Sequence, residues 1–242
     1  MFTLDMLFEY LATDYSWGDL IPVNVQPASN PTKLLVITGE NATGKSFLRR
    51  IISALCQREN TECMAVSPEF RQYGGPMTAF VFGDEGREAS GEIATNVCLG
   101  SIRTSKGRTG SHVVVLDEPD MGLSDNAAAG VGLEIAEFIQ NPPEHLGFFT
   151  VISHRRALLE RLMFASHIRV GGDTITLEEA LHQPIVPIRP DELKEKSIAL
   201  FRQICPRLDE MARKNREDEE AARKAAGGAR NRHRRPAREA EA

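Results

Sequence analysis

Three groups of side chains in this chain have the types and spacing that chemistry needs. The first is Gly39-Glu40-Asn41-Ala42-Thr43-Gly44-Lys45-Ser46, which fits the pattern G-x-x-x-x-G-K-[ST]. In such a loop successive backbone N–H groups wrap a phosphate, and the helix that follows adds the positive end of its dipole. Lys45 is expected to reach the β- and γ-phosphates of a nucleotide and Ser46 to ligate Mg²⁺, with Phe47 in the first helical turn. The second group is Asp117-Glu118, directly after Val113-Val114-Val115-Leu116. Asp117 is placed beside the Ser46-bound metal, through a water, and Glu118 is the candidate general base for an attacking water. The third is His154, last residue of Phe148-Phe149-Thr150-Val151-Ile152-Ser153-His154, since a histidine at the carboxyl end of a sheet strand points toward the ligand crevice. Each has a plainer reading: a loop that matches by chance, acids that cap the helix starting near Asn126, and a histidine satisfied in the core.

The elements that must position these groups are legible in the apolar pattern. Leu34–Ile37 is a short buried strand ahead of the glycine loop, and a helix follows it through about Gln57. Cys63–Val66, Met77–Phe82, Val113–Leu116, Phe148–His154, Ala165–Val170 and Thr174–Leu177 read as further strands. Helices are expected over residues 1–12, from residues 83–92 through Ile102, over Asn126–Gln140 and over Arg156–Phe164. Pro22–Pro31 reads as a connection and Arg103–Arg108 as a basic turn. Beyond Pro190, Leu193, Leu200, Ile204, Leu208 and Met211 form the apolar stripe of one more helix, which becomes almost wholly charged past Met211.

A chain of 242 residues that is 41% apolar can build one substantial α/β domain. Its net charge of −5 excludes capture of polyanions by bulk attraction. From Arg207 onward, however, eleven Lys/Arg face eight Asp/Glu, so an acidic body carries a mildly basic end. Cys56, Cys63, Cys98 and Cys205 have neither zinc-like nor disulfide-framework spacing, and reduced thiols in a cytoplasmic protein are the expectation. Asp5 and Glu9 interrupt the apolar N-terminus where a signal peptide needs an unbroken core, and no run approaches the about 18 apolar residues of a membrane span. Direct membrane insertion is therefore not expected.

Taken together, GENATGKS, VVVLDEP, the following MGLSD and VISHRR resemble the ABC-type ATPase superfamily of P-loop NTPases, and within it the soluble branch related to SMC and RecF-type proteins. The resemblance covers roughly Lys33 to Leu177. It implies an α/β fold, a mostly parallel sheet flanked by helices, binding and hydrolysis of ATP with Mg²⁺, and ATP-dependent head-to-tail homodimers enclosing two nucleotides. It further implies that Met121–Asp125 is the D-loop and His154 the switch histidine, that Gln72 joins Ser46 and Asp117 at the metal, and that Ser90 and Gly91 of Ala89-Ser90-Gly91-Glu92 face the partner's γ-phosphate. Ser90 as a simple helix N-cap is an equally economical reading. Trp17 and Tyr15 are candidates to stack on adenine.

The chain departs from the family in four places, one being that the signature Ala89-Ser90-Gly91-Glu92 has lost a glycine or is shifted. Ala42 replaces a glycine, a change that a negative φ would tolerate. Ser124 stands where the D-loop has aspartate. Lys45 and Ser90 are only 45 positions apart, too short for the helical insert with which transporter subunits grip a membrane partner. The expectation is a minimal ATPase head over residues 1–189, a helical C-terminal extension over 190–226 and a disordered arginine-rich tail over 227–242, acting on a soluble protein or on nucleic acid. A transporter ATPase subunit and a weakly hydrolysing nucleotide switch are the alternatives.

Overall fold

The computed structural model describes residues 1–13, 21–67, 90–171, 173–206, 210 and 213. In chain order the elements of the first of two compact units, Met1–Leu193, are α1 (Leu4–Thr13), β1 (Val23–Gln26), β2 (Leu34–Thr38), α2 (Lys45–Arg58), β3 (Glu62–Val66), α3 (Ser90–Gly107), β4 (His112–Asp117), α4 (Asp125–Gln140), β5 (Leu146–Ile152), α5 (Arg156–Leu159), β6 (Ser166–Val170) and α6 (Leu177–His182). A further helix covers residues 190–206. The second unit is Lys194–Ala242, and Leu208, Met211 and the arginine-rich tail lie outside the described residues.

The strands β2, β4, β5 and β6 are buried at every position. Burial of both faces is what a parallel sheet covered by helices demands, and it explains why these segments read as unbroken apolar runs. The order is β1-β6-β2-β5-β4-β3. All neighbours are parallel except β1, which runs antiparallel to β6. Register sorts the side chains: Val36 pairs with Val151 and Ile37 with Ile152, while Asp117 is also level with Ile152. One face therefore carries Leu34, Val36, Val114, Leu116, Phe149 and Val151, packed with Ile135, Phe138, Leu158 and Leu162 from the helical side. Phe138 meets Phe149 edge-on at 5.5 Å between ring centres, the geometry that suits the ring quadrupoles. Asp117 alternates to the other face, where α2 lies.

Several expected elements differ. Val23–Gln26, expected as part of a proline-bounded connection, is a strand, because β6 supplies a complete antiparallel ladder from Val170 to His167. Arg103–Arg108 is not a turn: α3 continues to Gly107, and Ser105 Oγ is hydrogen-bonded at 2.8 Å to the buried His112 Nε2, which fixes the last helical turn against β4. The helix expected over Arg156–Phe164 stops at Leu159. Thr174–Leu177 is not a strand. Thr176 caps α6, accepting from Glu179 N at 3.1 Å while Glu179 Oε2 accepts from Thr176 N at 2.7 Å. This reciprocal capping box outweighs the strand preference of the β-branched run. The Met77–Phe82 strand lies outside the described residues.

Candidate functional site at the carboxyl edge of the sheet

β2, β4 and β5 are parallel, so the residues after them emerge at one edge of the sheet, the edge where open α/β folds bind ligands. After β2 the chain makes the glycine loop. Gly39 has φ 157°, and a Cβ there would lie 2.5 Å from the Val170 carbonyl oxygen. Gly44, the N-cap of α2, has φ 109°, and its Cβ would lie 2.7 Å from Ile21 Cδ1. Only glycine fits either position. Ala42 has φ 61°, so the negative φ that would make alanine harmless is not the one adopted, and the loop holds an L-residue in the left-handed region. Thr43 braces the turn by donating from Oγ1 to the Glu40 carbonyl at 2.8 Å.

No side chain caps α2 at its start, and the first-turn N–H groups of a helix have no intrahelical partners. Lys45 is buried and donates from Nζ to the carbonyls of Gly39 at 2.7 Å and Glu40 at 2.8 Å. Burial holds its ammonium below the ordinary lysine range, and the Glu118 and Asp117 carboxylates pull it back up. Lys45 and the two acids thus act on one another, as a shared anion and cation site requires.

Asp117, the last residue of β4, is buried, and its Oδ2 lies 3.2 Å from Arg49 Nε of α2. Arg49 follows Ser46 by three positions on α2; Arg49 is buried against Asp117, whereas Ser46 is exposed at the start of the helix. Glu118 has φ 49°. A bulky residue at positive φ is a strained conformation that has to be imposed by its surroundings. Here Glu118 N donates to the Ile152 carbonyl at 2.8 Å and the Glu118 carbonyl accepts from Met121 N at 3.2 Å. The consequence is that the half-buried Glu118 side chain leaves the strand line and comes to 4.0 Å, Oε1 to Nδ1, from the exposed His154. Neither acid caps α4. Ser124 does, accepting from Ala127 N at 3.3 Å.

The sequence reading missed a polar clamp beside this pair. Asp120 is buried; it accepts from Ser153 Oγ at 2.9 Å and lies 3.2 Å from Arg155 Nε. Arg155 Nη1 also donates to the Leu123 carbonyl at 2.5 Å and to Asp125 Oδ1 at 3.3 Å. The residues on both sides of His154 therefore fasten the 120–125 loop. The signal was present in Asp-Glu-Pro-Asp, whose third acid had no assigned partner, and in Ser-His-Arg-Arg, whose first arginine had none either.

Of the remaining expected site residues, Gly91 lies in the first turn of α3, against the 121–125 loop of its own chain; a Cβ there would stand 3.3 Å from the Gly122 carbonyl oxygen. Ser90 is the first residue of α3, and its hydroxyl lies outside what is described. Gln72, Tyr15 and Trp17 lie outside the described residues. A cleft of about 880 Å³ lined by Gln26, Lys33, Phe164, His167 and Glu178 opens toward the opposite end of β2 and β6 and does not include Lys45, Asp117, Glu118 or His154.

The glycine loop with its buried lysine and a helix start free of side-chain caps fits a phosphate group. Ser46 and Asp117 are hard oxygen donors of the kind magnesium takes alongside phosphate oxygens. Among the described residues no cluster of three or more His, Cys, Asp and Glu could hold a metal by itself, and none of the described helices is long and apolar enough to cross a membrane. Compared with known proteins, the chain matches no family model and no curated protein.

Proposed function

We propose that this chain is a Mg²⁺-dependent ATPase of the ABC type, a P-loop NTPase head that binds ATP on residues 39–47 and hydrolyses it. ATP would draw two copies together head to tail and so drive or gate a soluble protein partner or a process on nucleic acid. The observation that carries this reading is the meeting of Lys45, Asp117, Glu118 and His154 at the ends of three parallel strands.

The loop amides and Lys45 bind and neutralise the phosphates. Ser46, with Asp117 beside it and Gln72 as a further candidate, would hold magnesium, which would supply charge neutralisation to the phosphates. Glu118 orients the attacking water and takes its proton as the oxygen bonds to the γ-phosphorus and the bond to the β-phosphate oxygen breaks. His154 hydrogen-bonds the γ-phosphate and steadies Glu118. Ser90 and Gly91 close the partner's site. The test is phosphate release from Glu118→Gln: turnover is lost while ATP still assembles dimers, and unchanged release overturns the assignment.

A second reading, a nucleotide switch that hardly hydrolyses, draws on the Arg49–Asp117 ion pair, which already neutralises the carboxylate beside the metal. ATP-dependent dimers of the unmodified protein that release no phosphate at saturating magnesium would select it.

A further inference from the structure

Cys56 and Cys63 stand apart from the nucleotide chemistry, yet the fold brings them together in a defined way. α2 ends in a Schellman turn: Asn60 is left-handed at φ 48°, Thr61 N donates to the Cys56 carbonyl at 2.8 Å and Asn60 N to the Gln57 carbonyl at 3.2 Å. This reversal sends the chain straight into β3 and lays Cys63, its second residue, against the last turns of α2. The buried Cys56 and the partly exposed Cys63 are neighbours whose thiols shift one another's titration. Ser53 Oγ lies 3.4 Å from Cys63 Sγ. Arg49, Ser53 and Cys56 are spaced four and three apart and form one stripe along α2, so Cys63 faces a guanidinium, a hydroxyl and a thiol.

From this geometry we infer that Cys63 and Cys56 form an oxidative modification site, in which Cys63 reacts with a hydroperoxide and Cys56 resolves the product into an intrachain disulfide. The Cys63 thiolate attacks the terminal peroxide oxygen; the O–O bond breaks, leaving Cys63 as a sulfenic acid and releasing an alcohol, or water where the oxidant is hydrogen peroxide, once the departing oxygen is protonated. The Cys56 sulfur, losing its proton, attacks the Cys63 sulfur; an S–S bond forms, the S–O bond breaks and water leaves. Two thiols are oxidised and one hydroperoxide is reduced, and a dithiol reverses the step. The environment divides the roles. The neighbouring Cys56 thiol brings the Cys63 thiol down to about 7, with Ser53 and Arg49 adding to it against the opposing effect of burial, whereas Cys63 and burial push Cys56 up. The partly exposed partner is thus the nucleophile and the buried one the resolver.

The test treats the full chain, reduced, with hydrogen peroxide at pH 7, then blocks remaining thiols and maps peptides by mass. The expected product links Cys56 to Cys63 and leaves Cys98 and Cys205 blocked as thiols, Cys63 disappearing roughly tenfold faster than Cys205. In Cys56→Ala the oxidation of Cys63 stops at a sulfenic acid captured by a 1,3-diketone; in Cys63→Ser Cys56 stays reduced. Loss of Cys205 as fast as Cys63, or a disulfide that is intermolecular or joins other cysteines, overturns the inference. The wild-type rate comparison decides it even if a variant fails to fold, and none of these readouts involves ATP.

Discussion

His154 Nδ1 stands 4.0 Å from Glu118 Oε1, across the neighbouring ends of β5 and β4. The two residues come from different strands, and Glu118 reaches this position only because its backbone takes φ 49°. Strain of this kind, on the order of 1–3 kcal/mol, persists where the surroundings over-determine it and collects at functional sites.

Glu118→Gln keeps the shape and removes the base, so phosphate release is expected to fall by roughly 10²–10⁴-fold. His154→Ala, at an exposed position, is expected to slow release while leaving the melting temperature within about 2 °C of wild type, since exposed substitutions rarely change stability by more than about 0.5 kcal/mol. A stopped-assay phosphate measurement beside a thermal melt separates the two effects. A His154→Ala protein that turns over normally would remove this residue from the mechanism.

Lys45→Ala tests the loop itself. The ammonium is held in a buried position by two loop carbonyls, and charge-assisted hydrogen bonds to phosphate contribute about 1.5–3 kcal/mol each. ATP affinity is expected to drop at least tenfold by titration calorimetry. Retained affinity would mean that the phosphates are not bound at residues 39–46.

The sequence made the parallel strands and the glycine loop legible because each is a local signal: an apolar run buried on both faces, or glycines where no side chain fits. Pairing that depends on a distant partner was not legible. β1 is four half-buried residues, Val23-Asn24-Val25-Gln26, and only the ladder with β6 makes it a strand. The Asp120–Ser153–Arg155 clamp joins positions more than thirty apart in the chain, and no spacing rule links them. The φ of Ala42 was not legible for a related reason. The φ of a loop residue is set by the loop closing around it, not by its own side chain, and a composition argument cannot supply it.

Ala42→Gly follows from that φ. The left-handed conformation costs an L-residue roughly 1–2 kcal/mol, and glycine removes this at the expense of about 0.4–1 kcal/mol of added unfolded-state entropy. A net gain of a few tenths to about 1 kcal/mol is expected, seen as a rise of roughly 1–4 °C in Tm. A lower Tm would contradict the left-handed assignment at this position.

His167 makes the last prediction, on pH. The residue is 2% exposed on β6, with Nε2 hydrogen-bonded to Thr38 Oγ1 at 2.8 Å and Nδ1 3.4 Å from Gln26 Oε1. Burial, with the charge of Arg169 adding to it, brings the ring down to about 4 in the folded protein, against about 6.5 in the unfolded chain. Between those values the unfolded chain binds a proton that the native state does not. Stability therefore rises with pH across this window and is lost as pH falls through it, with the loss complete below the folded value. From pH 7 to pH 5 the contribution of this one ring is about 2 kcal/mol. Urea unfolding of wild type and His167→Gln at both pH values isolates it: the variant, whose side chain does not titrate, is expected to lose about 2 kcal/mol less on acidification. Equal losses in the two proteins would place the acid sensitivity elsewhere in the fold.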